Sequence, residues 1–266
     1  MPELPDVELA RRTLEEAARG RRFEGVEVEE PGLLADGLDP VALEEAVAGA
    51  TLAGTRRRGK QLFGGLEDGP WLRFHFGMSG FLAWWDEGGE PSEYPYVVFG
   101  LEGGRRLAFD CRRKLGEIEL VDDPDAWAAD HGLGPDVLEL GADGFLEAMD
   151  GKRGMVKTAL MDQSRVAGVG NEFSDEILFQ ARLHPRTKMP DLSPEERRDL
   201  YGLLRETLTT AIDRGMEADA LPDGWILPVR EEGADCPRCG GAIERIEISG
   251  RGCYLCPACQ PAPGEG

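Results

Sequence analysis

The stretch GMVKTALMDQSRVAGVGNEFSDEILFQARL, residues 154–183, decides how the rest of the chain is read. Two runs of helical character, GMVKTALMDQSRV and EFSDEILFQARL, flank the glycine-bounded turn AGVGN at 167–171. The pattern predicts helix, tight turn, helix, with Asn171 placed to cap the second helix. Backbone N–H groups at such a helix start bind phosphate readily, so the turn is a candidate nucleic-acid contact. The same pattern also serves as a plain packing corner.

Working outward, SPEERRDLYGLLRETLTTAI follows, opening with Ser193, Pro194 and Glu196 as a capping box with proline at the first helical position. ADALPDGWILPVREEGAD then reads as mostly irregular. Upstream, DDPDAWAADHGLGPD at 122–136 has the composition of a linker. From Phe23 to about Val121 short β-rich runs alternate with glycine turns, and YVVFGL-EGG-RRLAFD reads as a hairpin. Asp39-Pro40 introduces a short helix, VALEEAVAG. Leu4, Val7, Ala10, Leu14 and Ala17 recur at helical spacing and stop at Gly20. The fold class expected is α+β, with a β-sandwich or barrel first and helices after it.

The net charge of −21 argues against a binder of phosphates, but 25 of the 30 basic residues are arginine. Abundant Asp and Glu with little Lys resemble proteins adapted to a high-salt cytoplasm, where screening reduces self-repulsion. The basic residues cluster as RRRGK (56–60), CRRK (111–114), GKR (151–153) and RLHPRTK (182–188). Four islands in so acidic a chain suggest one positive groove for phosphates, although a charge run is commonly a solvated face. No run of 18 apolar residues and no basic-then-apolar leader occur, so neither a membrane nor a secreted protein is expected.

Five of six cysteines fall in the last 31 residues. CPRC (236–239) and CPAC (256–259) supply four thiolates, Cys236, Cys239, Cys256 and Cys259, for one structural zinc ion. Cys253 forms a competing CxxC with Cys256, but CPAC repeats the proline pattern of CPRC and CYLC does not. IERIEISGRGC between the knuckles fits a hairpin, with Arg251 near its turn as a candidate phosphate reader or a solvated charge.

Three further stretches carry candidate chemistry. MPELPDVE places Pro2 behind a removable methionine, so the mature chain offers a secondary amine beside the Glu3 carboxylate. Such an amine forms an iminium with an aldehyde-like carbon, although the plainer reading of these residues alone is that Pro2 opens an extended segment ahead of a helix capped by Asp6. Lys60 lies between Gly59 and an apolar strand. RFHFGMSG (73–80) turns at a glycine bearing Met78, which could wedge between stacked bases or end a buried strand.

Taken together, MPELPDVE, KTALMDQSRVAGVGNEFSDEILFQARLHP and CPRCGGAIERIEISGRGCYLCPACQ resemble the formamidopyrimidine-DNA glycosylase and endonuclease VIII family over nearly the whole chain. The resemblance implies an N-terminal catalytic β-sandwich with flanking helices (1–124), a helix–two-turn–helix DNA-binding domain (125–229) and a zinc-finger hairpin (230–262). It implies a base-excision enzyme acting on double-stranded DNA with damaged bases or abasic sites, as a monomer, in the cytoplasm at the nucleoid. Pro2 matches the nucleophile, Glu3 the acid for sugar-ring opening, Lys60 the lysine assisting β-elimination, and Arg251 the arginine of δ-elimination. Asn171 matches a phosphate-gripping asparagine, and Arg153 a DNA-contact position. Met78, Arg113 and Leu115 match the residues filling the gap left by a flipped nucleotide, leucine standing where phenylalanine is usual. Tyr94 replaces a DNA-contacting histidine, CRRKLG replaces DPRRFG, and Glu172 replaces an isoleucine. The segment from Gly215 to Cys236 is shorter than in members that process 8-oxoguanine. The rival readings are a non-catalytic damaged-DNA-binding protein on the same scaffold, and a small-molecule enzyme using a proline base. The latter leaves the zinc module and the basic islands unexplained.

Overall fold

The computed structural model describes residues 1–264 and divides into two compact units, one of residues 1–2 with 6–132, the other of residues 3–5 with 133 onward. In the first unit, two four-stranded antiparallel sheets enclose one apolar core. One sheet runs β1-β6-β7-β5, from Phe23–Val28, Pro95–Leu101, Arg105–Cys111 and Gly80–Trp85. The other runs β2-β3-β4-β8, from Leu52–Arg58, Gln61–Leu66, Trp71–His75 and Glu117–Val121. Phe23, Phe74, Phe99 and Phe109 meet at the centre with ring centroids 5.9–6.2 Å apart, in edge-on and tilted pairs. The β-rich run is therefore a sandwich, as two sheets each with one apolar face require.

Helix α1 (Leu4–Ala18) buries the expected stripe of Val7, Ala10, Leu14 and Ala17 against that core. Asp6 lies inside its first turn and not at its cap. Helix α2 (Pro40–Val47) is capped by Asp39, whose carboxylate accepts from Ala42 N–H at 2.9 Å. The stretch with linker composition contains a helix, α3 (Pro124–Asp130). Its device is the one that starts α2: Asp123 accepts from the N–H groups of Asp125 and Ala126, with proline at the first position.

The second unit is helical around its own core, with α4 (Ala142–Met149), α5 (Val156–Leu160), α6 (Asn171–Gln180) and α7 (Pro194–Asp213). Ser193 and Glu196 form the expected capping box of α7. The unit ends in a hairpin of β9 (Glu244–Ile248) and β10 (Arg251–Leu255). Ser249 and Gly250 both take positive φ at its two-residue turn, the geometry that matches strand twist in tight hairpins.

Candidate active site and zinc module

The AGVGN turn is tied to the N-terminal segment. Gly168 takes φ +131° and a Cβ there would lie 2.4 Å from Leu4 Cδ1, so only glycine admits the approach. Leu4 N–H donates to Gly168 O at 3.2 Å. This delivers Glu3, 1 % exposed, to the start of α6, where its carboxylate accepts from Gly170 N–H at 2.5 Å and Glu172 N–H at 2.8 Å. A third N–H, from Phe173, lies at 3.4 Å. Asn171 therefore does not cap α6; the cap is a carboxylate from the far end of the sequence, and the amides expected to meet phosphate are engaged by it. A carboxylate there also complements the positive end of the helix dipole.

Asn171 instead turns its amide to the hairpin, Nδ2 donating to Gly252 O at 2.9 Å. Its Oδ1 is buried with no hydrogen-bond partner among the described residues, an acceptor that a bound ligand or water would satisfy. Beneath this helix start, fully buried Lys157 donates to Asp175 (2.6 Å), Ser174 Oγ (2.7 Å) and Asn171 O (3.1 Å).

The four sulfurs of Cys236, Cys239, Cys256 and Cys259 lie within 4.8 Å of one another, with Cys236–Cys259 at 3.9 Å and Cys239–Cys256 at 3.5 Å. Tetrahedral zinc with Zn–S near 2.3 Å needs sulfurs about 3.8 Å apart, so the residues present fit the metal. Cys253 takes no part: its thiol donates to Asp175 at 2.9 Å, and burial, with that carboxylate beside it, pushes its pKa far up. Arg251 is exposed directly after the hairpin turn.

In the first unit, Lys60 occupies the β2–β3 turn behind Gly59, whose φ is 58°. Arg57 donates to Gly59 O at 3.2 Å and to Glu8 of α1 at 3.3 Å, bracing the turn. Burial would raise the Glu8 pKa, but the guanidinium groups of Arg11 and Arg57 outweigh it and hold the carboxyl below its ordinary value. Met78 and Leu115 are 43 % and 52 % exposed, among few large apolar side chains so placed. Their loops abut: a Cβ on Gly77 would fall 2.1 Å from Leu115 O, and Arg113 N–H donates to Ser79 Oγ at 3.1 Å. Met78 is thus not a buried strand end.

The basic islands are not uniformly available. Arg56 and Arg58 pair with Asp125 of α3, Arg57 with Glu8, Lys114 with Glu30 and Lys152 with Asp162. Arg113, Arg153 and Arg251, by contrast, are exposed and form no ion pair among the described residues. Sequence reading missed the pairing partners because Asp125 lay in a supposed linker. It also missed the cluster of Asp175, Lys157 and Arg230, which no local pattern signals.

The formamidopyrimidine-DNA glycosylase N-terminal domain model matches residues 1–118, its H2TH domain model residues 132–221, and a zinc finger found in FPG and IleRS residues 235–262. A formamidopyrimidine-DNA glycosylase of Laribacter hongkongensis is 35% identical over 98% of this chain and 100% of its own length. The chain belongs to the formamidopyrimidine-DNA glycosylase family. An Arabidopsis thaliana relative of the same name is 31% identical over 87% of this chain, which spans 63% of that longer protein. Lactococcus lactis Fpg, solved in complex with DNA containing an abasic site, superposes with a TM-score of 0.85 at 26% identity, covering 98% of this chain and 100% of that one.

Proposed function

We propose that Pro2 is the nucleophile of this base-excision DNA glycosylase and abasic-site lyase. The observation that carries the reading is Glu3, the residue next to that secondary amine, buried and locked across the start of α6. A protein that only bound DNA would not need this pair. With Met1 removed, the unprotonated Pro2 amine attacks C1′ and the damaged base departs with the glycosidic electron pair. The Glu3 carboxylate takes the proton that the attacking amine releases and passes it to the sugar-ring oxygen as the C1′–O4′ bond breaks, and the opened sugar is held as an iminium on Pro2. Loss of a C2′ proton then breaks the C3′–O3′ bond, assisted by Lys60 at the phosphate. Loss of a C4′ proton breaks the C5′–O5′ bond, with Arg251 donating to the departing phosphate, and water releases Pro2. Zinc held by Cys236, Cys239, Cys256 and Cys259 would have no open position for chemistry, and would fix the base of the hairpin that carries Arg251.

Asn171, through the second hydrogen of its Nδ2, and Arg153 serve as phosphate contacts, and Met78, Arg113 and Leu115 as the filler of the vacated stack. The exposure of Met78 and Leu115, and guanidiniums of Arg113 and Arg153 that form no ion pair among the described residues, support these roles. A single chain carries every group invoked, which supports action as a monomer on duplex DNA at the nucleoid. Leu221, Trp225 and Ile226 are buried, so the segment behind α7 is used in packing and offers little to cap an everted purine. That favours ring-opened bases and abasic sites over 8-oxoguanine as substrates. The test is a set of duplexes carrying each lesion. Release of the base with a one-nucleotide gap phosphorylated on both flanks is expected, fastest for formamidopyrimidine. Tight binding with every strand left intact would instead establish the non-catalytic alternative.

A further inference from the structure

The group around Asp175 has no part in the chemistry above, yet it is built with unusual care. Asp175 lies in the middle of α6 and its carboxylate is fully buried. It accepts from Lys157 Nζ at 2.6 Å, Cys253 Sγ at 2.9 Å, Tyr254 N–H at 3.2 Å, and Arg230 through Nη2 at 2.8 Å and Nε at 2.9 Å. Two cations thus share one buried anion. Lys157 is fully spoken for by the α6 start, whereas Arg230 reaches outward from it. Its Nη2 also donates to Gly252 O at 3.4 Å, and its guanidinium stacks 4.5 Å from the Tyr254 ring centroid. Gly252 O is the acceptor that Asn171 Nδ2 holds from the other side.

Gly252 follows Arg251 directly, so one carbonyl joins the two residues assigned to grip phosphate. A hairpin of five-residue strands has little core of its own, and zinc fixes its base between the knuckles rather than its tip. At the tip, orientation comes from the Gly252 carbonyl and the Tyr254 ring, and Arg230 touches both. We propose that Arg230 is a positioning residue for δ-elimination: it holds the β10 backbone so that the Arg251 guanidinium is presented in register with Asn171. Pro2, Glu3 and Lys60 do not depend on that hold, so loss of Arg230 separates the second strand scission from the first. This rests on the assignment of Arg251 to δ-elimination.

The experiment compares Arg230→Gln, Arg230→Lys and Arg251→Ala with the wild type on a duplex carrying an abasic site. The β- and δ-products are resolved by their 3′ termini on a denaturing gel, and zinc content and thermal midpoint are measured alongside. Arg230→Gln is expected to retain one zinc per chain and the wild-type rate of β-scission within about twofold, while the δ to β ratio falls at least fivefold. Arg230→Lys keeps the charge on Asp175 but not the bridge to Gly252, and should show the same fall in smaller measure. Equal loss of both scissions, or no change in their ratio while Arg251→Ala abolishes the δ-product, would overturn the proposal. So would failure of even Arg230→Lys to fold with its zinc, which would make Arg230 a stability residue. Undiminished δ-product from Arg251→Ala would instead remove the assignment on which the proposal rests.

Discussion

At the scale of single residues, Glu3 is the most constrained carboxylate in the molecule's candidate chemistry. It is a helix cap and a proposed acid at once, and these roles separate on substitution. Gly170 and Glu172 N–H donate to different oxygens of Glu3, so Glu3→Gln keeps an acceptor for one and turns its NH2 toward the other, at a cost to stability of about 1–3 kcal/mol. The amide cannot hand over a proton. Excision from a duplex with an intact damaged base should fall at least about 100-fold, the range of a lost general acid. A preformed abasic site already equilibrates with its open aldehyde, so its cleavage should fall by less than about tenfold. Timed gels of both substrates check this. A pattern of equal loss would mean that Glu3 only holds the fold.

At the scale of elements, α6 is the beam on which the second unit is assembled, and its buried carboxylates show it. Glu176 accepts from Gln180 Nε2 at 2.6 Å and from Leu227 N–H at 2.8 Å, joining the helix to the chain that leads into the zinc knuckle. Burial is the main cause of a pKa raised from 4.5 to about 7. Between those two values the unfolded chain releases a proton that the folded chain keeps, so stability falls as pH rises through the window. The loss across the whole window amounts to something on the order of 3 kcal/mol. Urea unfolding across pH 4.5–7 should show it in the wild type, and Glu176→Gln should flatten it.

Much of this level was legible in the sequence because its signals are local. Asp39-Pro40 and Ser193-Pro194-Glu196 announce their helices, and the repeated knuckle proline separates Cys256 and Cys259 from Cys253. Asp123-Pro124 carried the same signal as Asp39-Pro40, and only the surrounding Asp and Gly made α3 read as a linker. What could not be read was non-local. The cap of α6 comes from residue 3, and Asp175 gathers donors from residues 157, 230, 253 and 254. No periodicity encodes such meetings.

At the scale of the whole molecule, a charge of −21 has to be reconciled with a polyanionic partner. Some of the basic residues are tied to Asp125, Glu8, Glu30 and Asp162, whereas exposed Arg113, Arg153 and Arg251 form no ion pair among the described residues and remain available to phosphate. With about three to five phosphate contacts, counterion release gives a log–log salt slope near −3 to −4. Affinity measured for an abasic duplex from 0.1 to 1 M salt should follow that shallow line, with cleavage still detectable at the top of the range. A slope near −8, or activity abolished above ordinary salt, would contradict the high-salt reading. No helix among the described residues is long and apolar enough to cross a membrane.

Everything proposed for the chemistry depends on the amine of Pro2. The most direct measurement is borohydride reduction during turnover of an abasic duplex, followed by peptide mass mapping of the trapped protein. If Pro2 is the nucleophile, one adduct forms, it maps to the N-terminal peptide beginning at Pro2, and Pro2→Gly binds the duplex normally while losing at least about 100-fold in trapping rate. An adduct on a lysine, or none at all from protein that holds zinc and binds the duplex, would show that this scaffold does not use its N-terminal proline.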